Sequence, residues 1–343
     1  MTPKYVFSRK KIEDSYHAIS RKMDGVKIFY SLKANAEKGV LQILNDIGAN
    51  FEIGSIGEFS ILKEIDVSSD RIICGLPIKP INWLQYMYSH GCSYYVFDNI
   101  SELKKIITYA PTSKKILRIS INDLIYDSIE FGMDYYEAVF LLSQDVEMRD
   151  YVDGLSFHIS NNINISNFNY VMDRIETLLP LFSLKRILLN IGGGYRLEAA
   201  DAFFENLQER ISKLKQIYNI DIIAEPGNTI VNSAGSIYTT VIGVKKKDFY
   251  TDVYIDAGKP SGIKTDNKRI PRCIRISGKS RCSEKHRYRF VDITCMHKPH
   301  FSEDLEYMIE EGDVLEFTDM GAYTVCLQSK FHLWQSPQIE ISN

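Results

Sequence analysis

The sequence predicts an α/β protein: a (β/α)8 barrel followed by a second, mainly antiparallel β domain. Two rhythms carry that reading. Short apolar, β-branched or aromatic runs alternate with longer amphipathic stretches as far as residue 234. Beyond it the long helix-like stretches stop and the short runs continue. No short-period repeat, low-complexity tract or Pro/Gly/Ser linker interrupts either part.

Eight runs read as strands of the first part: residues 26–31, 50–53, 71–74, 94–97, 116–121, 154–158, 186–191 and 221–224. Helix-like segments lie between them, among them 101–109, 135–142, 168–179 and 199–218. Strand–helix alternation forces parallel strands, because the chain must cross back to the same edge. Eight such units in about 200 residues suit a closed barrel, with an open doubly wound sheet as the competitor. The runs at 253–256, 272–277, 288–293, 314–317 and 324–327 lack intervening long helices and read as antiparallel strands. The expected division is a barrel over 25–234 and a β domain over 235–343, joined by the N-terminal segment 1–24.

The length of 343 residues fits two domains. Hydrophobic residues make up 45% and charged residues 25%, an ordinary globular composition. Lys+Arg number 41 and Asp+Glu 44, a net charge of -3, which argues against a nucleic-acid or anionic-membrane partner. No apolar run is long enough to span a membrane, and the first residues lack the apolar core of a signal peptide. The six cysteines, at 74, 92, 273, 282, 295 and 326, form no CxxC pair, so a reducing compartment, the cytoplasm, is expected. Charge is split in the second part. Residues 264–298 hold eleven Lys/Arg against three Asp/Glu, and residues 299–329 hold eight Asp/Glu and no Lys or Arg. The plain reading is two mutually attracting surfaces, within the domain or across a dimer; anion binding by the basic half is the alternative.

Residues with chemical character fall at the C-terminal ends of the expected barrel strands, the face on which such barrels build active sites. Lys33 follows the first strand, Glu52 ends the second, Arg118 lies in the fifth and His158 ends the sixth. Gly192-Gly193-Gly194 follows the seventh and Glu225-Pro226-Gly227 the eighth. The glycines allow close backbone approach and can turn N–H groups toward an anion, or simply make a strand-to-helix turn. Lys33, at a strand end and followed by small and polar residues, is expected to be partly desolvated, which favours the neutral amine and Schiff-base chemistry, though an isolated lysine is most often a surface residue. His158 alone is more often a satisfied histidine at a barrel rim than a catalytic group. Glu225, between Ile222-Ile223-Ala224 and Pro226, needs a cationic or N–H partner. Together these groups point to pyridoxal 5'-phosphate. Lys33 would hold the aldehyde, the glycines the phosphate, and Glu225 would keep the ring nitrogen protonated so that the ring accepts electrons. His158 would stack on the ring.

Motifs along nearly the whole chain then resemble those of the fold-type III pyridoxal-phosphate decarboxylases, the ornithine, arginine and diaminopimelate decarboxylases. They are Tyr30-Ser-Leu-Lys33-Ala-Asn35, Phe51-Glu52-Ile-Gly-Ser-Ile-Gly57-Glu58, Ser156-Phe-His158, Asn190-Ile-Gly-Gly-Gly194-Tyr and Ala224-Glu-Pro-Gly227. Asp256-Ala-Gly258, Thr294-Cys295 and Asp319-Met-Gly-Ala-Tyr323 complete the set. The resemblance implies an alanine racemase-like barrel with a β domain, and decarboxylation of an amino acid through a Schiff base, a quinonoid carbanion and reprotonation at Cα. Position by position, it makes Lys33 the Schiff-base lysine, His158 the ring-stacking group and Glu225 the pyridinium partner. Gly193, Gly194 and Tyr323 would bind phosphate; Glu52, Glu58, Arg118, Asn161 and Gly227 would support the cofactor. Cys295 would reach in from the other subunit of a homodimer with shared active sites and protonate Cα.

There are departures from the pattern. Asn228 stands where the family usually has a phosphate-binding Arg. Cys295 is followed by Met296-His297-Lys298, and Ala257 occupies a second position, where relatives acting on basic amino acids carry acids. Lys298, the histidines and the stretch 279–289 surround that loop with cations, so charge complementarity favours a substrate whose distal group is neutral or acidic, an amino acid or a larger conjugate. Met296, His297 and Lys298 are the expected substrate contacts. Two alternatives remain: an inactive homologue acting as a regulatory binding protein, and a racemase, against which Glu225 argues as the stronger electron-sink partner. No metal is expected, because Cys295-x-His297-x2-His300 matches no standard zinc spacing.

Overall fold

A computed structural model of the chain describes residues 2–121, 131–159, 163–182, 186–263, 273–276, 278–292, 294 and 299–343. The contacts divide the chain into two compact units. One comprises Ser15–Leu32 and Leu44–Thr229; the other comprises Met1–Asp14, Lys33–Ile43 and Ile230–Asn343.

After β1 (Lys4–Ser8), which belongs to the second unit, the chain builds a barrel. Its strands are β2 (Lys27–Ser31), β3 (Asn50–Ile53), β4 (Ile72–Cys74), β5 (Tyr94–Phe97), β6 (Lys114–Arg118), β7 (Gly154–Ser156), β8 (Ile187–Asn190) and β9 (Ile220–Ala224). Each pairs in parallel with the next, and β9 closes on β2 through Lys27↔Ile223 and Ile28↔Ala224. Closure disposes of the open-sheet alternative. All eight expected runs are barrel strands, although the run at 116–121 is Lys114–Arg118 and that at 154–158 stops at Ser156.

The strands read as near-continuous apolar runs because both faces are covered: all residues of β3 and β4 are buried. Phe29, Ile73, Val96, Ile116 and Ile223, from five strands, pack together inside. Burying each such side chain stabilises by about 1.5–3 kcal/mol. The helix Asp201–Ile217 buries Phe203, Phe204, Leu207, Ile211 and Leu214 along one stripe. Ser55, Asn99 and Asn164 start their helices as side-chain caps, accepting the N–H groups of Glu58, Glu102 and Asn167. One loop is fixed by a buried ion pair. Lys79 pairs with Glu102 at 3.0 Å and donates to Leu76 O at 2.8 Å and Val96 O at 2.6 Å, which pins residues 75–80 after β4.

The second unit is a sheet of β10 (Gly235–Lys246), β11 (Thr251–Ile255), β12 (Cys273–Ile276), β13 (His286–Asp292), β14 (Pro299–Leu305), β15 (Val314–Phe317) and β16 (Gln338–Ser342), with β1 alongside. The order is β12-β15-β10-β11-β13-β14, and β1 lies between β10 and β16. Pairing is antiparallel except for β11 with β13 and β1 with β16. The expected strand at 324–327 is instead a one-turn helix, Val325–Leu327. Tyr323 at φ 54 and Thr324 at φ -125, ψ -78 break the extended backbone just before it. Reading from sequence missed β1, β10, β14 and β16.

Among the described residues, part of the charge split is met inside this unit. Arg287 lies opposite Asp304 on the β13–β14 ladder, 3.7 Å away. Lys279 pairs with Glu310 at 2.5 Å, Arg281 with Glu306 at 3.7 Å and Arg289 with Asp252 at 2.7 Å.

Candidate active site

Four barrel strands end at or close to the polar groups singled out from sequence, and a fifth ends just before the glycine turn. Glu52, at the end of β3, is buried and accepts the Ser31 hydroxyl at 2.5 Å. Gly75 backs it: a Cβ there would meet Glu52 Oε1 at 2.3 Å, so the loop pinned by Lys79 walls the carboxylate. Arg118 is the last residue of β6. Burial pushes its guanidinium down from its ordinary value, opposed by the charges of Glu225, Glu52 and Asp98. Glu58 has a local task, accepting the Gly54 N–H at 2.6 Å.

His158, the glycine turn and Glu225 form one nested cluster after β7, β8 and β9. Gly192 and Gly194 have φ of 68° and 91°. A Cβ on Gly192 would lie 2.4 Å from Phe157 O, and one on Gly193 would lie 2.6 Å from Glu225 O, so only glycine lets these strand ends converge. The Gly193 N–H donates to His158 Nδ1 at 3.2 Å, which leaves the proton of the neutral ring on Nε2. Asn190 Nδ2 donates to Glu225 Oε1 at 2.5 Å while its Oδ1 accepts the Gly192 N–H at 2.9 Å. The buried Tyr195 hydroxyl donates to Ile191 O at 2.8 Å; burial and the Glu225 charge push its phenol well above the ordinary value. Gly227 is buried, and Pro226 O beside it accepts the Ser31 N–H at 3.3 Å. Asn228 Nδ2 is buried with no hydrogen-bond partner. A cavity of about 880 Å³ lined by Asn164, Tyr195, Arg196, Glu198 and Phe203 includes neither His158 nor Glu225.

Lys33 and Tyr323 belong to the other unit. Lys33 sits in the one-turn helix Leu32–Ala34 that follows β2. Its side chain is exposed, not desolvated as expected, because Leu32 and Ala34 take the buried positions of the turn. The Tyr323 N–H donates to Ala34 O at 2.8 Å. Asn161, Cys295, Met296, His297 and Lys298 lie outside the described residues.

Residues 9–232 match the family described as pyridoxal-dependent decarboxylase, pyridoxal binding domain. The chain belongs to this family. Among its relatives, ornithine decarboxylase of Schizosaccharomyces pombe is 30% identical over 93% of this chain and 78% of its own length. Antizyme inhibitor 2 of Xenopus laevis is 27% identical over 92% of this chain and 75% of its own. In fold, the arginine decarboxylase of Paramecium bursaria Chlorella virus superposes with a TM-score of 0.89 at 24% identity, covering 100% of this chain and 97% of that one.

This pyridoxal-dependent decarboxylase takes pyridoxal 5'-phosphate as its cofactor, and the donor set fits it. An orphaned buried donor costs about 1–3 kcal/mol, and a phosphate oxygen would satisfy Asn228 Nδ2. The glycine turn leaves room for close approach, and the Asn190 amide fixes the orientation of the Glu225 carboxylate. When bound, the cofactor supplies an electron sink for the charge left at Cα as a carboxyl group departs. Two positioning residues of the decarboxylase, Asn190 and Gly75, carried no role in the sequence reading. Asn190 had a signal, a polar residue closing an otherwise apolar strand before three glycines; Gly75 had none.

Proposed function

We propose that Lys33 holds the cofactor's aldehyde carbon, Glu225 faces its ring nitrogen and keeps it protonated, and His158 lies on the ring face. Gly193, Gly194, Asn228 and Tyr323 hold the phosphate; Glu52, Arg118, Asn161 and Gly227 support them. Cys295 of a second copy delivers the proton to Cα, so the working form is a homodimer with shared sites. The observation that carries this reading is the cluster in which Gly193 bonds His158 and Asn190 bonds Glu225, beside the orphaned donor of Asn228. Among the described residues, the free thiols of Cys74, Cys92 and Cys282 suit a reducing compartment, the cytoplasm. Among the described residues no helix is long and apolar enough to cross a membrane.

The substrate is an amino acid or amino-acid conjugate whose distal group is neutral or acidic. Ala257 is fully buried and apolar, and its neighbour Asp256 is engaged by the Thr2 hydroxyl at 2.7 Å and the Thr240 N–H at 2.9 Å. The basic stretch 279–289 counts for less in the charge balance, since among the described residues Lys279, Arg281, Arg287 and Arg289, though not Lys285, have acidic partners within their own unit. The support that remains is Ala257 together with Met296, His297 and Lys298.

Incubating the purified protein with a panel of amino acids and acidic conjugates, and following CO2 release, tests the reading. Release is expected, fastest on substrates without a distal ammonium. Turnover best on free ornithine or lysine would overturn the substrate class and draw attention to Asp292, a buried carboxylate three residues before Cys295. The likeness to antizyme inhibitor 2 favours a second reading, a regulatory binding protein. A cofactor fixed at Lys33 with no CO2 from any compound would support it.

A further inference from the structure

Within its own unit, the Lys33 turn is bound to the segment that carries Tyr323. Asn35 is fully buried; its Nδ2 donates to Gly321 O at 2.8 Å and its Oδ1 accepts the Glu37 N–H at 2.9 Å. One residue earlier, Ala34 O accepts the Tyr323 N–H. The far side of the segment is clamped as well. The Met320 N–H donates to Gly235 O at 2.9 Å, the Gly321 N–H to Asn232 O at 3.0 Å, and a Cβ on Gly321 would lie 1.7 Å from Val231 O. Asp319 and Tyr323 take left-handed φ of 58° and 54°, a strained backbone that persists only where its surroundings enforce it. A buried amide that spends a donor on one segment and an acceptor on another sets their spacing.

We infer that Asn35 is a positioning residue, fixing Tyr323 relative to the Lys33 turn so that a single rigid element presents both groups to the cofactor. The inference rests on the roles proposed above for Lys33 and Tyr323. Asn35 touches neither cofactor nor substrate in this account; it acts through the Gly321 carbonyl and the backbone that follows. Its loss leaves the Tyr323 hydroxyl in place chemically and misplaced in space.

The test uses the full chain with pyridoxal phosphate as probe. Wild type, Asn35→Ala, Tyr323→Phe and the double variant are titrated with the cofactor, and each is reduced with borohydride and mapped by mass spectrometry for an adduct at residue 33. Each single variant is expected to weaken binding about tenfold, and the double variant to be no weaker than the worse single one. Additive losses, or an Asn35→Ala affinity within about twofold of wild type, overturn the inference. If Asn35→Ala does not fold by circular dichroism, Asn35→Asp carries the same cycle, since it keeps the acceptor for Glu37 and removes the donor to Gly321. No adduct at residue 33 in wild type overturns the role of Lys33 and the inference with it. An adduct in wild type with an additive cycle overturns the inference alone.

Discussion

In the barrel unit, His158, Gly193 and Glu225 come together through neighbouring strands in register. Gly154↔Leu188 and Ser156↔Asn190 align β7 with β8, and Asn190↔Ile223 aligns β8 with β9. Each group stands within a few residues of a ladder that already fixes its height. In the other unit, Lys33 and Tyr323 have no shared ladder. They are brought together by the backbone bond from Tyr323 to Ala34, by a side-chain bond between residues 286 apart and by a left-handed backbone. Both arrangements are sensitive to added bulk and both use single side-chain hydrogen bonds, Asn190 to Glu225 in the first and Asn35 to Gly321 in the second; only the first has a strand ladder beneath it.

The largest expected effect is on Lys33. Lys33→Ala should lower decarboxylation by about 10³-fold or more and abolish the borohydride-fixed adduct, measured by CO2 release and mass spectrometry. Glu225→Gln should keep the cofactor while kcat falls by about 10²-fold, because the ring nitrogen loses its anionic partner. Backbone crowding then compares the two units directly. Gly193→Ala and Gly321→Ala should each destabilise by about 1–3 kcal/mol in thermal unfolding, Gly321→Ala more, since its Cβ would lie 1.7 Å from Val231 O against 2.6 Å from Glu225 O. Asn228→Ala should stabilise the cofactor-free protein by about 1 kcal/mol, by removing a buried orphan donor, and weaken cofactor binding roughly tenfold. An unchanged affinity would take Asn228 out of the phosphate site.

The smallest effect is a null one. Burial pushes the Cys74 thiol up to about 12 and raises that of Cys92, so both stay protonated at pH 8. Iodoacetamide at that pH should label Cys282 and Cys326 in the second unit and spare these two in the barrel. Labelling of Cys74 in the folded protein would show the barrel open.

Legibility followed the same divide. The barrel was readable because parallel strands buried on both faces are continuous apolar runs, and their ends announce themselves through Glu52, His158, Gly192 and Glu225. The β unit was read less well. Strand β10 alternates buried and half-buried residues along Gly235–Val241 in a way the sequence shows, yet it begins at the expected barrel boundary, where no strand is predicted. The run at 324–327 has strand-forming residues, and tertiary contacts made it a turn: the Thr324 hydroxyl donates back to Met320 O at 2.6 Å. The unusual charge of 264–329 was visible, but its partners were not, because strand register decides which Arg faces which Asp.

From the sequence alone followed the alternation of strand and helix, the glycines after the seventh barrel strand and the identity of the groups at the strand ends. All of these are set by neighbours a few residues away, through pleat, helical period and allowed φ. Tertiary structure alone decided that the lysine turn packs with residues beyond 230, that Asn190 holds Glu225, and that Asn35 holds Gly321. Those choices depend on chain closure across long separations, where a hydrogen bond forms only once the packing of the whole unit has brought its two ends together.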